Sequence, residues 1–167
     1  MMTEADYSEI RQLVAKYSET LDFGDIDGFV SCFAEDGVVD TSSPEAGLSG
    51  VHKGHAALRK FASATLEYTG GLVRQTAFNV LIDGDGQSAR ASSFAFLTRA
   101  YHDQTRANYG RGVSQVTRSA LDTTGMYYDE LVKVNRRWLF SRRQFRHDGL
   151  PDVIERVMMP TTIGPRN

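Results

Sequence analysis

Two side chains of this sequence could move or hold a proton without a cofactor, the phenol of Tyr17 and the carboxyl of Asp22, and the amide of Gln75 could position a reacting group beside them. Tyr17 falls on the stripe Ile10, Leu13, Val14, Tyr17, Leu21, whose spacing is helical, so its hydroxyl points inward and needs a partner. Asp22 follows five residues later at the end of the same helix. A helix C-terminus disfavours an anion, and a carboxyl facing an apolar cavity has a raised pKa, which suits a general acid or base. Gln75 and Asn79, four apart in Val73-Arg74-Gln75-Thr76-Ala77-Phe78-Asn79-Val80, share a face if that stretch is a regular strand. Glutamine can position a water or a carbonyl but cannot exchange protons near neutral pH. The plain alternatives are a core tyrosine bonded to a backbone carbonyl and a solvated helix-end carboxylate.

Other residues are candidates to touch a ligand. Phe33 ends an apolar stripe. Phe94, Phe96, Thr98, Tyr127, Asp129, Leu131 and Arg143 lie on strands, where only alternate positions face one side. Arg143 could meet a carboxylate or a phenolate. His102, after the second long strand, is the imidazole that could stand in for a titrating group at position 75. His52 and His55 have the spacing of a metal pair, but no Cys, Asp or Glu nearby completes a ligand set, so no metal is expected. His147-Asp148 reads as a strand end, and the arginines around it as a solvated face.

The elements that must position these groups follow from the rest of the chain. Its 167 residues suit one domain with a real core, and 41% apolar and 24% charged residues are ordinary for a soluble globular protein. A net charge of −2 gives no basic footprint for nucleic acid or an acidic membrane, and no apolar run approaches the roughly 20 residues of a membrane span. The acidic, polar start does not read as a signal peptide, and the single cysteine, Cys32, leaves no internal disulfide, so a cytoplasmic location is expected.

Thr3-Glu4-Ala5-Asp6 is a capping-box start for the first helix, which Gly24 ends. Asp25 caps a second helix carrying Ile26, Phe29, Val30 and Phe33. Glu35-Asp36-Gly37 is a turn, Val38-Val39 a short strand, and Ser42 to Gly50 a loop or hairpin. Gly54 opens a third helix with Leu58, Phe61 and Leu66 on one side. Strands follow over Leu72 to Ile82, Ser88 to Tyr101, Thr123 to Val134 and Trp138 to Arg146. His102 to Ser119 is polar and without period, and a segment from Leu150 ends the chain. The expected domains are 1–149 and a tail, 150–167. Helices first and antiparallel strands after is an α+β order.

The run Tyr17-Ser18-Glu19-Thr20-Leu21-Asp22-Phe23-Gly24-Asp25-Ile26-Asp27, then Phe33-Ala34-Glu35-Asp36-Gly37, resembles the opening of the SnoaL-like group of the nuclear transport factor two-like superfamily. Gly50-Val51-His52-Lys53-Gly54-His55, Asn79 with Asp83-Gly84-Asp85, Gly125-Met126-Tyr127-Tyr128-Asp129, Trp138-Leu139-Phe140 and His147-Asp148-Gly149 continue it over residues 5 to 149. The resemblance implies a cone-shaped curved sheet, an α+β barrel wrapped by three N-terminal helices around an apolar cavity, with position 75 inside. It implies no cofactor, a small hydrophobic ring compound as ligand (steroid, polyketide or terpenoid type), and a homodimer or higher homo-oligomer joined through the open sheet face. In lyase-like members an aspartate orients a histidine at the position of Gln75. Glutamine there puts that pairing in doubt, and in the isomerase pattern the base falls near Asp40 or Thr41, only one of which can face inward. The resemblance therefore implies either a cofactor-free lyase or isomerase using Asp22 and Tyr17, or a binding or accessory protein without catalysis. A third option is a partner subunit of a larger oxygenase.

Overall fold

The computed structural model describes residues 1–42, 47–102 and 116–148. The segment 103–115 and the chain after Asp148 lie outside these residues, as do the expectations placed on them; residues 116–119, expected in the loop from His102 to Ser119, are strand, because they pair with the preceding long strand, and of His102 only the backbone is described.

Three helices precede most of the sheet: α1 (Glu4–Phe23), α2 (Ile26–Val30) and α3 (His55–Thr69). The strands are β1 (Phe33–Thr41), β2 (Gly50–Lys53), β3 (Val73–Gly84), β4 (Ser88–His102), β5 (Val116–Val134) and β6 (Arg137–His147). They form one curved, unclosed sheet in the order β2-β1-β6-β5-β4-β3, so β2 and β3 are its edges. Every pairing is antiparallel except β1 with β6, which the reading of an antiparallel run did not anticipate. Phe33 is the first residue of β1, where a second-helix residue was expected. The Glu35-Asp36-Gly37 turn survives as an irregularity inside that strand, between the pairs Phe33–Phe140 and Val38–Arg142.

Local chemistry explains the placement of α1. Thr3 and Asp6 form a reciprocal capping box, and Gly24 closes the helix with φ of 75°, a left-handed conformation that glycine adopts without strain. The Asp6 carboxylate also accepts the indole N–H of Trp138 at 2.9 Å and is paired with Lys133. Glu9 accepts the backbone N–H of Trp138 at 2.9 Å. These bonds pin the start of α1 to the β5–β6 hairpin. The stripe Ile10, Leu13, Val14, Tyr17, Leu21 is buried as its spacing requires. The helix packs against β3 and β6, and the small residues Ala89, Ala91, Ser93 and Ala95 are buried on β4. Tyr17, Phe29, Phe33, Tyr127 and Phe140 meet in one aromatic cluster, with ring centroids 5.2–6.0 Å apart.

Gly125 of β5 lies close against β6. A Cβ there would sit 2.2 Å from the Arg146 carbonyl oxygen and 2.7 Å from the Phe145 ring. Gly125→Ala should therefore separate the two strands locally and lower stability by about 1–3 kcal/mol. Urea unfolding checks this; an unchanged midpoint would show that the strands have slack.

Candidate functional site

The helices and the concave face of the sheet enclose a cavity of about 320 Å³. Tyr17, Leu21 and Asp22 enter it from α1, Phe61 and Thr65 from α3, and Val73 and Gln75 from β3. Tyr127 and Thr123 of β5 and Arg143, Phe145 and His147 of β6 complete the floor. Leu97 and Arg99 of β4 stand on the far side, where Arg99 holds Asp122 through bonds of 3.0 and 3.3 Å.

One hydrogen-bonded chain crosses this cavity. The Asp22 carboxylate accepts the Gln75 backbone N–H at 2.7 Å on Oδ2 and the Gln75 side-chain amide at 3.0 Å on Oδ1. The amide oxygen of Gln75 accepts the Tyr127 hydroxyl at 2.8 Å. Burial pushes the Asp22 carboxyl above its ordinary value of 3.8, against the opposing pull of the Gln75 bonds and the Arg74 charge. Position 75 therefore orients a titrating group instead of titrating itself.

Behind this chain lies a buried charge pair. Arg143 and Asp129 are opposite residues of β5 and β6, both side chains 1% exposed, with Nε and Oδ1 3.7 Å apart. The guanidinium carbon lies 3.8 Å from the Tyr127 ring centroid, 4.2 Å from that of Tyr17 and 4.7 Å from that of Phe140. No described residue hydrogen-bonds any of its three nitrogens or either Asp129 oxygen. Arg143 is thus held by aromatic faces, an arrangement that favours a desolvated cation. Burial pushes Asp129 up to about 6 despite that cation. It also carries the Tyr17 and Tyr127 phenols well above their ordinary value, so both act as hydrogen-bond donors and not as bases.

The structure brings Tyr17, Asp22, Gln75, Tyr127 and Arg143 together at the cavity. It separates the other expected residues from it. Asn79 has φ of 53° in a bulge between Phe78 and Leu81, and that shift puts it on the exposed side. Asn79 and Gln75 therefore do not share a face, because the bulge breaks the alternation on which that expectation rested. Phe94 is 46% exposed on the outer face beside Phe78, since the odd-numbered residues of β4 are the buried ones. Phe33 is buried in the aromatic cluster, and Asp129 sits behind Arg143. The His102 side chain is outside the described residues.

Of the two adjacent candidates on β1, Thr41 lines the cavity. Asp40 bonds Gln144 and Arg146 and pairs with Arg142 on the other side, and these partners hold its carboxyl below the usual range against its burial. His52 packs on Phe61 at 4.8 Å, and the His55 Nε2 is 3.3 Å from the Phe33 carbonyl oxygen. Among the described residues no group of three His, Cys, Asp or Glu could hold a metal ion. Sequence reasoning missed His147 and Arg99 as lining residues. His147 had a usable signal: Arg143, Phe145 and His147 alternate along one strand, so placing Arg143 inward places the histidine inward as well.

Comparison with known proteins agrees with this architecture. The sequence pattern of the SnoaL-like domain matches residues 3–144. A protein of unknown function with a cystatin-like fold from Nostoc punctiforme superposes with a TM-score of 0.70 at 24% identity, over 90% of this chain and 97% of that one. An Asp-to-Asn variant of a protein of unknown function from Mycobacterium tuberculosis gives 0.68 at 25% identity, over 89% and 75%. A protein provisionally named a scytalone dehydratase, from Novosphingobium aromaticivorans, gives 0.63 at 21% identity, over 86% and 84%. No curated protein matches the sequence. Among the described residues no helix is long and apolar enough to cross a membrane. With its pattern matched from the cap of α1 into β6 and its cone of helices and sheet shared with these structures, the chain belongs to the SnoaL-like domain family.

Proposed function

We propose that the protein binds a small apolar ring compound bearing a carbonyl oxygen and acts on it as a cofactor-free lyase or isomerase. Asp22 removes a proton from carbon, and the Tyr17 hydroxyl donates to the ligand oxygen. The observation that carries this reading is the Asp22–Gln75 pair. A carboxyl desolvated enough to be a stronger base than usual is held in one orientation by two donors on the wall of the cavity. No described residue hydrogen-bonds the Tyr17 hydroxyl, which leaves its donor for a ligand.

The test is deuterium wash-in from D₂O at C2 of 1-tetralone, followed by NMR. The wild-type protein should accelerate exchange well above buffer. Exchange no faster than buffer would favour the second reading, a carrier in which Gln75 simply caps Asp22 and the ligand is recovered unchanged.

A second copy of the chain is the proposed partner of the sheet's outer face. Phe94 and Phe96 are 46% and 43% exposed there, and Leu81 and Leu121 63% and 57%, around Phe78. A contiguous apolar face of this kind is characteristic of an interface, and a two-fold axis lets the same strands cover it on both copies. Phe94→Lys with Phe96→Lys should convert a dimer to a monomer in analytical ultracentrifugation. A dimer that survives both changes would place the contact elsewhere.

A further inference from the structure

The cavity has one charged pair that the chemistry around Asp22 does not use. Arg99 and Asp122 both line it, with side chains 18% and 28% exposed, whereas Tyr17 and Tyr127 are buried. The pair therefore stands at the open end. Tyr68 of α3, 48% exposed, flanks it there, with the Arg99 guanidinium carbon 5.4 Å from its ring centroid.

Asp122 reaches this place through a break in the sheet. Leu97 of β4 is opposite Thr123 of β5, but the next residue, Thr98, is opposite Leu121. Asp122 is the extra residue of a bulge, and it lines the cavity together with its neighbour Thr123. Strict alternation from Thr123 would turn Leu121 inward and Asp122 outward. Instead Leu121 is 57% exposed. The bulge thus exchanges an apolar residue at the cavity mouth for a carboxylate, beside an arginine from the neighbouring strand.

The geometry of the pair decides what it can recognise. Arg99 donates to Asp122 through Nε at 3.0 Å and Nη2 at 3.3 Å, each to a separate carboxylate oxygen. Both N–H bonds of Nη1 lie outside that pairing, and each oxygen keeps lone pairs. The mouth so offers a donor and an acceptor side by side with no net charge. A lone arginine would attract a carboxylate. Here an incoming carboxylate meets Asp122 at the same place and has no proton to give it. A carboxamide satisfies both partners: its oxygen accepts from Arg99 and its N–H donates to Asp122.

We propose that Arg99 and Asp122 are a specificity pair, and that the ligand is a ring ketone whose outer end carries an uncharged group that both donates and accepts, as a carboxamide does. This rests on the reading of the cavity as the site of an apolar ring carbonyl compound, with the carbonyl at Tyr17. Arg99 and Asp122 decide which ligand is held and take no part in proton removal at carbon.

The experiment compares two probes of nearly equal shape by isothermal titration calorimetry near neutral pH. One is 1-tetralone with a carboxamide at C6, the end remote from the carbonyl, and the other carries a carboxylate there. The wild-type protein should bind the carboxamide at least ~10-fold more tightly. Asp122→Ala leaves Arg99 without its counter-charge and should reverse the order. Arg99→Ala leaves Asp122 alone at the mouth and should widen the original preference. A pair that only joins β4 to β5 would leave the ratio of the two affinities the same in all three proteins, and that result overturns the proposal. A wild-type preference for the carboxylate, or binding of neither probe, overturns it too. Deuterium wash-in at C2 of unsubstituted 1-tetralone separates the two failures: exchange above buffer leaves the cavity reading standing, and exchange at the buffer rate removes it as well.

Discussion

Asp22→Asn should reduce deuterium wash-in from 1-tetralone to the buffer rate, a loss of at least ~100-fold, while far-UV circular dichroism shows the fold intact. The substitution removes the titrating group and keeps its size. It also disturbs the neighbours. Asp22 accepts from two Gln75 donors, and asparagine offers one acceptor and one donor in that place. Either an N–H faces an N–H, or the Gln75 amide turns, its NH2 faces the Tyr127 oxygen and the Tyr127 hydroxyl proton loses its acceptor. Each alternative leaves a polar group unpaired, at a cost of about 1–3 kcal/mol. Some loss of melting temperature is thus expected together with the loss of exchange, and naphthol binding followed by fluorescence separates a lost base from a lost cavity. Wash-in at the wild-type rate in this variant would sink the assignment of Asp22.

Arg143→Ala should have the largest effect on stability. It strips a cation from three aromatic faces and leaves Asp129 buried with no counter-charge, which costs about 3–5 kcal/mol. For a chain of this size that is a fall on the order of 10 °C in Tm. An unchanged Tm would mean that the pair is open to solvent.

Asp129 supplies a second signature, in pH. Its folded-state value, about 6, lies above the ordinary 3.8, so the native state holds its proton more tightly than the unfolded chain does. Its contribution is fully present below 3.8 and is lost as pH rises through 6. Asp6 and Asp40, whose values are depressed, act in the opposite sense and lose theirs as pH falls. Wild type minus Asp129→Asn isolates the first effect, and the difference should slope between pH 4 and 6. A flat difference would show that Asp129 is ionised throughout.

Much of this molecule could be read from local pattern. The capping box at Thr3, the stripe to Leu21 and the Gly24 stop are set by side chains within a few residues of one another, so α1 and the inward faces of Tyr17 and Asp22 were legible. The strands from β3 to β6 announced themselves by composition and turns. The failures share one cause. Asn79 left the Gln75 face because of a bulge, and Phe94 faced outward because strand register depends on partners far away in sequence. The parallel pairing of β1 with β6 was invisible for the same reason.

By itself, then, the sequence determined an α+β chain of the SnoaL-like family with a helix that delivers a phenol and a carboxyl inward and a glutamine where a titrating side chain could have stood. Periodicity and capping are short-range, and a single chain states them. Tertiary structure alone decided what that glutamine does. Only with β3 laid against the end of α1 do both its donors meet Asp22 and its oxygen meet Tyr127. Only the pairing of β5 with β6 buries Arg143 against the tyrosines and turns His147 into the cavity. Contacts between residues 50 or more positions apart, such as Asp22 with Gln75 and Gln75 with Tyr127, depend on the packing of the whole sheet, which no local window of sequence contains.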